Sequence, residues 1–452
     1  MISLRNKSSQ TEYHAIRLRK YLIPFALLAL SVVVLMAGCQ FGDLLTQVGS
    51  PTVANKGNQS LDTTATFQAS PTTVKTLQPK TLVIWLPPQL DPNNGSLAAG
   101  ILQDRLASFV KKHPQYTIEI RIKSTDGQSS LLDALESTSE VAPAALPALI
   151  ALPYPSMDAA VQDGRLLSIG TSAGKLDDPD WLPYARKSAQ INGQVYGIPF
   201  GGDVLVLAYH HLIESTIPPV TWNELIDRGG IVAFPAGEPS AVVISQIYLS
   251  AGGHLTDSNG KPLIEKDPLH VTIKLLSDGA QEGVFPYWLT NITSFDQSWQ
   301  SFLGQQSQYA IIWSSQYLQS LPQGIDIAPT PTVGDQSISL VKPWIWCIPS
   351  SSPVERQDSM LLLQYLSDPD FINRWSQAAG LLPVRESGLE SWKSILDSQL
   401  VTQLRRENLL IPLSSSNPST SPLLADAVMK IIKNQVSVDQ LEDDIISQFQ
   451  VK

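Results

Sequence analysis

Cysteine is nearly absent: the 452 residues hold two, Cys39 and Cys347. Cys39 stands directly behind an apolar run from Tyr21 to Met36, with Arg17, Arg19 and Lys20 before the run and Ala37-Gly38 after it. A basic flank stays in the cytoplasm, an apolar run enters the export machinery, and two small residues let a peptidase reach the bond before the cysteine. The run is short of the roughly 20 residues a membrane-spanning helix needs. The pattern therefore predicts residues 1–38 as a lipoprotein signal peptide and Cys39 as the lipidated N-terminus. With Cys39 given to lipid no internal disulfide can form, and Cys347, inside the apolar stretch Trp344 to Pro349, reads as a buried, inert thiol. The core has to hold the fold unaided. At 43% hydrophobic residues the chain can do that, most simply as two domains.

Basic charge is scarce as well. Beyond residue 38 the chain carries 26 Lys and Arg against 40 Asp and Glu, a formal charge of −14. Nucleic acid is thereby excluded as a partner, because phosphate neutralisation requires a basic surface. Catalytic signatures are missing too: there is no His-Glu-x-x-His, no Gly-x-Ser-x-Gly, no phosphate loop and no paired-cysteine metal spacing. His210 and His211 would face opposite sides of a strand and cannot chelate one metal together. Asp177-Asp178-Pro179-Asp180 reads as a solvated loop before a calcium site, and Asp257-Ser258-Asn259-Gly260 as a hairpin turn with Gly260 at the positive-φ position. No cofactor and no metal are expected.

What is present begins with a tether. Residues 39–79 are rich in Ser, Thr, Gln, Asn and Gly, a composition that cannot bury enough apolar surface to offset its ordering entropy. Thr81 to Leu86 then reads as a buried strand, Ala98 to Lys112 as a helix with Ile101, Leu102, Leu106, Phe109 and Val110 on one stripe, and Tyr116 to Ile122 as a strand. A helix from Gln128 to Ser137, a strand from Ala148 to Leu152 and a helix from Ser156 to Asp163 follow. Such alternation predicts α/β architecture with ligand loops at the carboxyl ends of the strands. Two loops stand out, Trp85 to Asp91 and Leu152 to Asp158. Trp85 is equally placed to fill the core, while Tyr154, between two prolines, is the better candidate for exposure.

The stretch Asn192-Gly193-Gln194-Val195-Tyr196-Gly197-Ile198-Pro199-Phe200, the extended run Val204 to Tyr209, and Thr221-Trp222-Asn223-Glu224-Leu225 occur in an order that resembles the family 1 extracellular solute-binding proteins, the carbohydrate receptors of ABC importers that include maltose-binding protein. Thr221 and Glu224 also have capping-box spacing. Tyr309 to Tyr317, Pro331 to Pro349, Ser359 to Phe371 and Gly380-Leu381-Leu382-Pro383-Val384-Arg385 extend the resemblance over the whole body from Lys80. The chain departs from the family at Tyr209-His210-His211 and at Val341 to Trp346.

The resemblance implies a two-lobed, type II periplasmic-binding-protein-like clamshell, each lobe a mixed sheet flanked by helices and the two joined by hinge strands near Pro199 to Val206 and Pro331 to Leu340. Lobe 1 would comprise 80–200 and 338–384, lobe 2 would comprise 201–337 and 385–452. Ligand closing the lobes is a population shift that a permease can read. Alignment with the family's ligand loops implies Trp85, Tyr154, Asp203, Glu238, Trp313, Ser315, Tyr317 and Trp344 as ligand-binding residues. For Asp203, following Gly201-Gly202, a turn-capping role competes. Trp313 lies mid-strand, and Trp344 and Trp346 share one strand face, so both line a site or both fill the core. The expected function is capture of a mono- or oligosaccharide and its delivery to ABC permease subunits, by a monomer anchored to the membrane through lipid, and not an enzyme. A sensory receptor lipoprotein is the alternative, and a surface glycan hydrolase with two carboxylates across a cleft is a further one.

Overall fold

The computed structural model describes residues 79–451 apart from 126, 128, 171–175, 212–216, 335–337, 397, 407–408 and 411–419. The signal segment, Cys39 and the tether lie outside the described residues. In chain order the strands are β1 (Lys80–Leu86), β2 (Tyr116–Ile122), β3 (Leu149–Pro153), β4 (Gln190–Ile191), β5 (Gln194–Val195), β6 (Gly197–Gly201) and β7 (Leu205–His210). They continue as β8 (Val232–Ala233), β9 (Tyr309–Trp313), β10 (Ile325–Pro329), β11 (Leu340–Val341), β12 (Trp344–Cys347) and β13 (Leu409–Leu410).

Two sheets organise the molecule. The first runs β2-β1-β3-β12-β6, with β1 parallel to β2 and β3, and β12 antiparallel to both of its neighbours. The second runs β10-β7-β9-β8, with β7 antiparallel to β9 and β10 and β8 parallel to β9. Mixed sheets flanked by helices make this the α/β architecture that the sequence pattern predicts, in the two-lobed form that the family resemblance implies. β1 and β2 pair in register from Lys80 with Tyr116 to Leu86 with Ile122; the uninterrupted apolar run of β1 is buried, whereas β2, at the sheet edge, alternates Ile118, Ile120 and Ile122 with Thr117, Glu119 and Arg121. The helix Leu97–Lys112 starts where the Ser96 hydroxyl accepts the Ala99 N–H at 3.1 Å and buries Ala98, Leu102, Leu106 and Phe109.

Alternation along β7 divides the cores. Val206 and Ala208 join the large core that contains the first sheet, whereas Leu205 and Leu207 face the second core with Trp222, Phe234, Phe285 and the helices Val242–Ser250, Lys266–Gln281 and Ser421–Ile432. The chain just after Val384 runs beside Asp180, and Leu389 and Trp392 join the large core. Arg385 lies 3.3 Å from Asp180, Glu386 N–H donates to the Asp180 carbonyl at 2.7 Å, and the Ser387 N–H and hydroxyl reach the same carboxylate. The acidic run that could have been a calcium loop is thus held by a guanidinium. Asp257-Ser258-Asn259-Gly260 is the hairpin turn expected, with Gly260 at φ +75° and Asp257 Oδ1 accepting the N–H groups of Asn259 and Lys261.

Candidate functional site

Two short segments run side by side where the sheets meet: one joins the first sheet to the second, and the other joins β11, which pairs with β13, to the first sheet. Gly202–Val204 leaves β6 for β7, and Lys342–Pro343 leaves β11 for β12. Asp203 N–H donates to the Lys342 carbonyl at 3.2 Å, and Lys342 N–H donates back to the Asp203 carbonyl at 2.8 Å. Gly202 exchanges both backbone bonds with Leu382, and Tyr154 N–H donates to the Pro343 carbonyl at 2.8 Å. The crossing is where the carboxyl end of β3 in one sheet meets the carboxyl end of β9 in the other. In open α/β sheets such ends collect ligands.

Asp203 organises this junction. Its carboxylate is 3% exposed, and its Oδ1 accepts the Ser314 hydroxyl at 2.8 Å and the Ser315 N–H at 2.9 Å, while Oδ2 accepts the Ser315 hydroxyl at 2.6 Å. Burial pushes the carboxyl up, and the nearby Lys342 charge and the two serines pull it back only in part. Ser314 also clamps the crossing strand, since its hydroxyl accepts Val204 N–H at 3.1 Å and its own N–H donates to the Val204 carbonyl at 2.9 Å. Lys342 places its ammonium 4.2 Å from the centre of the Trp313 ring, whose other neighbour is Phe295 at 5.3 Å between centroids. Asp203, Ser315, Trp313 and Lys342 therefore form one cluster, with the half-buried Tyr154 bonded to Pro343 next to it. Burial, then the charge of Asp158, pushes the Tyr154 hydroxyl up to about 12.

The other candidates sit differently. Trp85 is 2% exposed in β1, and Trp344, 3% exposed, pairs with Pro153 and Gly201 inside the first sheet. Both fill the core. So does Trp346, whose ring is 4.7 Å from Phe200 and 5.9 Å from Trp375. Gly201 and Gly202 do leave room for close approach, but the approaching groups are protein: a Cβ on Gly201 would meet the Leu381 side chain at 2.8 Å, and one on Gly202 would strike the Tyr184 hydroxyl. Glu238 spends its carboxylate on its own loop, accepting Ser240 N–H at 2.9 Å and Val242 N–H at 3.4 Å where the helix Val242–Ser250 begins. Tyr317, 7% exposed on the short helix Ser314–Leu318, joins the large core. Lys342 was missed from sequence because a lysine in an apolar run carries no signal of what its ammonium faces. The histidines separate as alternation requires: His210 stacks on Phe302 at 4.4 Å and His211 Nδ1 lies 3.2 Å from Asp326. No group of three or more metal-ligating side chains is found among the described residues.

Residues 104–396 match the profile of a family described as bacterial extracellular solute-binding protein. No curated protein matches the chain. Among solved structures, maltose-bound MalE3 of T. maritima is 16% identical with a TM-score of 0.65, over 82% of this chain and 99% of its own. The solute-binding protein of Thermotoga lettingae TMO bound with α-D-tagatose is 18% identical with a TM-score of 0.63, over 82% and 100%. The sugar-binding protein MalE of Xanthomonas citri is 17% identical with a TM-score of 0.63, over 82% and 98%. At these identities the likeness is one of fold.

Proposed function

Because the chain belongs to the bacterial extracellular solute-binding proteins, and so works outside the cytoplasm, we propose that it captures a neutral mono- or oligosaccharide between its lobes and presents it to the permease of an ABC importer. The observation that carries this reading is the cluster at the crossing segments. The half-buried Tyr154 and the hydroxyl of Ser315 gather where both lobes meet, beside Trp313, which is 7% exposed and packed in the second core with the Lys342 ammonium over its ring; an aromatic face and hydroxyl partners are what a sugar's apolar carbon-hydrogen faces and hydroxyls require. Trp313, Tyr154, Ser315 and Lys342 are read as the residues that face ligand, with Asp203 holding Ser315 in place. Tyr317 and Glu238 act one layer behind.

Binding is read as a population shift. Ligand that touches both lobes only when they are closed stabilises that form by its differential affinity, and the crossing segments absorb the rotation. Solute-binding relatives are receptors, and the chain is read likewise, without turnover. The lobe limits 80–200 and 338–384 against 201–337 and 385–452 are kept, except that Arg385–Trp392 is assigned to the first lobe through Asp180 and the large core. Cys39 is read as the lipid-bearing residue and the protein as a monomer.

A thermal-shift screen of the purified protein against maltose, D-tagatose and a wider set of sugars and polyols tests the reading. A sugar at 100 times its dissociation constant adds about 2.7 kcal/mol, a plainly visible rise in Tm. A rise with the sugar recovered intact supports a receptor. A flat response across all sugars, or a sugar that is consumed, rejects it.

A further inference from the structure

A groove of about 750 Å³ runs along the helix Phe295–Leu303, whose first turn borders the cluster at the crossing segments through Phe295 on the Trp313 ring and Asp296 bonded to Gln316. Its walls are Trp288, Asn291, Ile292, Asp296, Gln297, Gln300, Ser301 and Gln306. The volume lies within the range of about 300–1,000 Å³ typical of small-molecule sites. Lysine and arginine are missing from the wall, and the single charge, Asp296, already accepts from Gln316 Nε2 at 2.9 Å. Anionic ligands are therefore disfavoured.

Around the half-buried indole of Trp288 stand four primary amides. Gln297 uses its carbonyl oxygen on Thr293 N–H at 2.7 Å, and Gln306 uses its own on the Ser301 hydroxyl at 3.4 Å, while the NH₂ group of each makes no hydrogen bond among the described residues. Gln300 and Asn291 make no side-chain hydrogen bond among the described residues. An aromatic face beside amides that both donate and accept matches an uncharged glycan, whose rings offer an apolar face for stacking and paired hydroxyls at the rim.

The groove is built on rigid parts. Trp288 and Ile292 pack against the second core, and the Pro235–Ser240 loop is fastened to the same segment by Gly237 N–H donating to the Ile292 carbonyl at 2.9 Å. We propose that this groove is a second carbohydrate-binding surface, with Trp288 as the stacking face and Asn291, Gln297, Gln300 and Gln306 as hydroxyl partners for a neutral polysaccharide chain. It would hold the receptor on the polymer from which smaller sugars are released. The surface stands apart from the reading of the interlobe site, which takes the short ligand.

The test is native electrophoresis of the whole protein in gels containing xylan, glucomannan, soluble starch or mixed-linkage glucan. At least one polymer should retard the native chain, and Trp288→Ala should weaken that retention at least tenfold. Trp288→Phe should keep part of it, and Gln300→Ala, at an exposed position with no packing to lose, should weaken it severalfold. Tyr287→Ala, on the exposed neighbour outside the groove, should change nothing. Retardation by none of the polymers, or retardation that survives both Trp288→Ala and Gln300→Ala, overturns the proposal. A maltose or tagatose Tm shift is read separately on every variant: its loss in all chains speaks against the interlobe site, while polymer retention alone decides the groove.

Discussion

Ser315, on the helix that follows β9, gives both its N–H and its hydroxyl to the Asp203 carboxylate, at 2.9 and 2.6 Å. A residue of the segment crossing between the sheets is thereby bonded to the start of the helix that follows the second sheet's β9, and through its backbone to the neighbouring segment at Lys342.

Removing that carboxylate should loosen the junction. Asp203→Ala leaves buried donors on Ser314 and Ser315 unpaired and should cost about 3 kcal/mol in denaturant unfolding. Asp203→Asn keeps the acceptor oxygen and should cost less. Its effect should depend on pH in a definite sense. Burial raises the folded carboxyl above its unfolded value, so the folded state holds its proton longer, and the stability this gives is complete below about pH 4 and is lost as pH rises through the raised value. The Asn variant should compare worse with the native chain at pH 4 than at pH 7; the reverse trend would place the carboxyl among groups stabilised by their charge.

The two glycines before Asp203 should both resist alanine. Gly202→Ala drives a methyl into the Tyr184 hydroxyl, which is itself fixed by donating to the Pro383 carbonyl at 2.6 Å, and should destabilise by about 1–3 kcal/mol. Gly201→Ala meets the buried Leu381 at Cδ1, 2.8 Å away, and at Cβ, 2.9 Å away; a rotamer change relieves the first contact but not the second, so this variant too should cost about 1–3 kcal/mol. Combining Gly202→Ala with Tyr184→Phe in a double-mutant cycle should recover part of the loss. Purely additive effects would show that the hydroxyl is not the obstacle.

How much of this was legible depended on whether the signal was local. The stripe of the helix Leu97–Lys112, the branched runs of β1 and β2, the Gly260 turn and the Thr221 cap all lie within a few residues and read correctly. Even the cap shows the limit: Thr221 Oγ1 accepts Glu224 N–H at 3.1 Å as expected, but Glu224 reaches Val220 N–H at 2.8 Å. Pro153-Tyr154-Pro155 read as a break, yet Pro155 sits in the first helical turn, where the missing N–H has no partner to lose, so the helix Tyr154–Gln162 begins two residues early. The fate of Trp85, Trp344 and the Gly201-Gly202 pair was set by chain neighbours far away in sequence, Ile150, Pro153, Leu381 and Tyr184, which no local pattern carries. Trp288 stands in a 3₁₀ segment too short for periodicity to flag.

Acid should open the molecule first at the edge where β1 and β2 begin. Asp358, buried, accepts Tyr116 Oη at 2.6 Å and Lys80 Nζ at 2.9 Å. Burial pushes its carboxyl up, but the bonds from Tyr116 and Lys80 outweigh that and hold it below the usual carboxylate range. A depressed folded value contributes stability that is complete above the unfolded value, about pH 4, and is lost as pH falls through the folded one. Asp358→Asn should therefore cost about 1–3 kcal/mol at pH 7 by losing charge-assisted bonds, with the difference from the native chain shrinking below pH 4. A gap that stays constant across that range would remove Asp358 from the acid response.

The anchor can be tested by counting thiols. Cys347 is buried and its thiol is pushed up by desolvation, so a maleimide should not reach it in the folded protein and should add once when the chain is unfolded. If Cys39 carries lipid, that single addition is the whole count for the exported chain, and an alkyne fatty acid fed to the cells should label the native protein and the Cys347→Ser variant but not Cys39→Ser. Each buried methylene contributes about 0.8 kcal/mol, so loss of the acyl chains should move Cys39→Ser from the membrane pellet to the soluble fraction. Two maleimides on the unfolded exported chain, or fatty-acid label that survives Cys39→Ser, would show that residue 39 does not hold the lipid and that the apolar run from Tyr21 to Met36 serves another end.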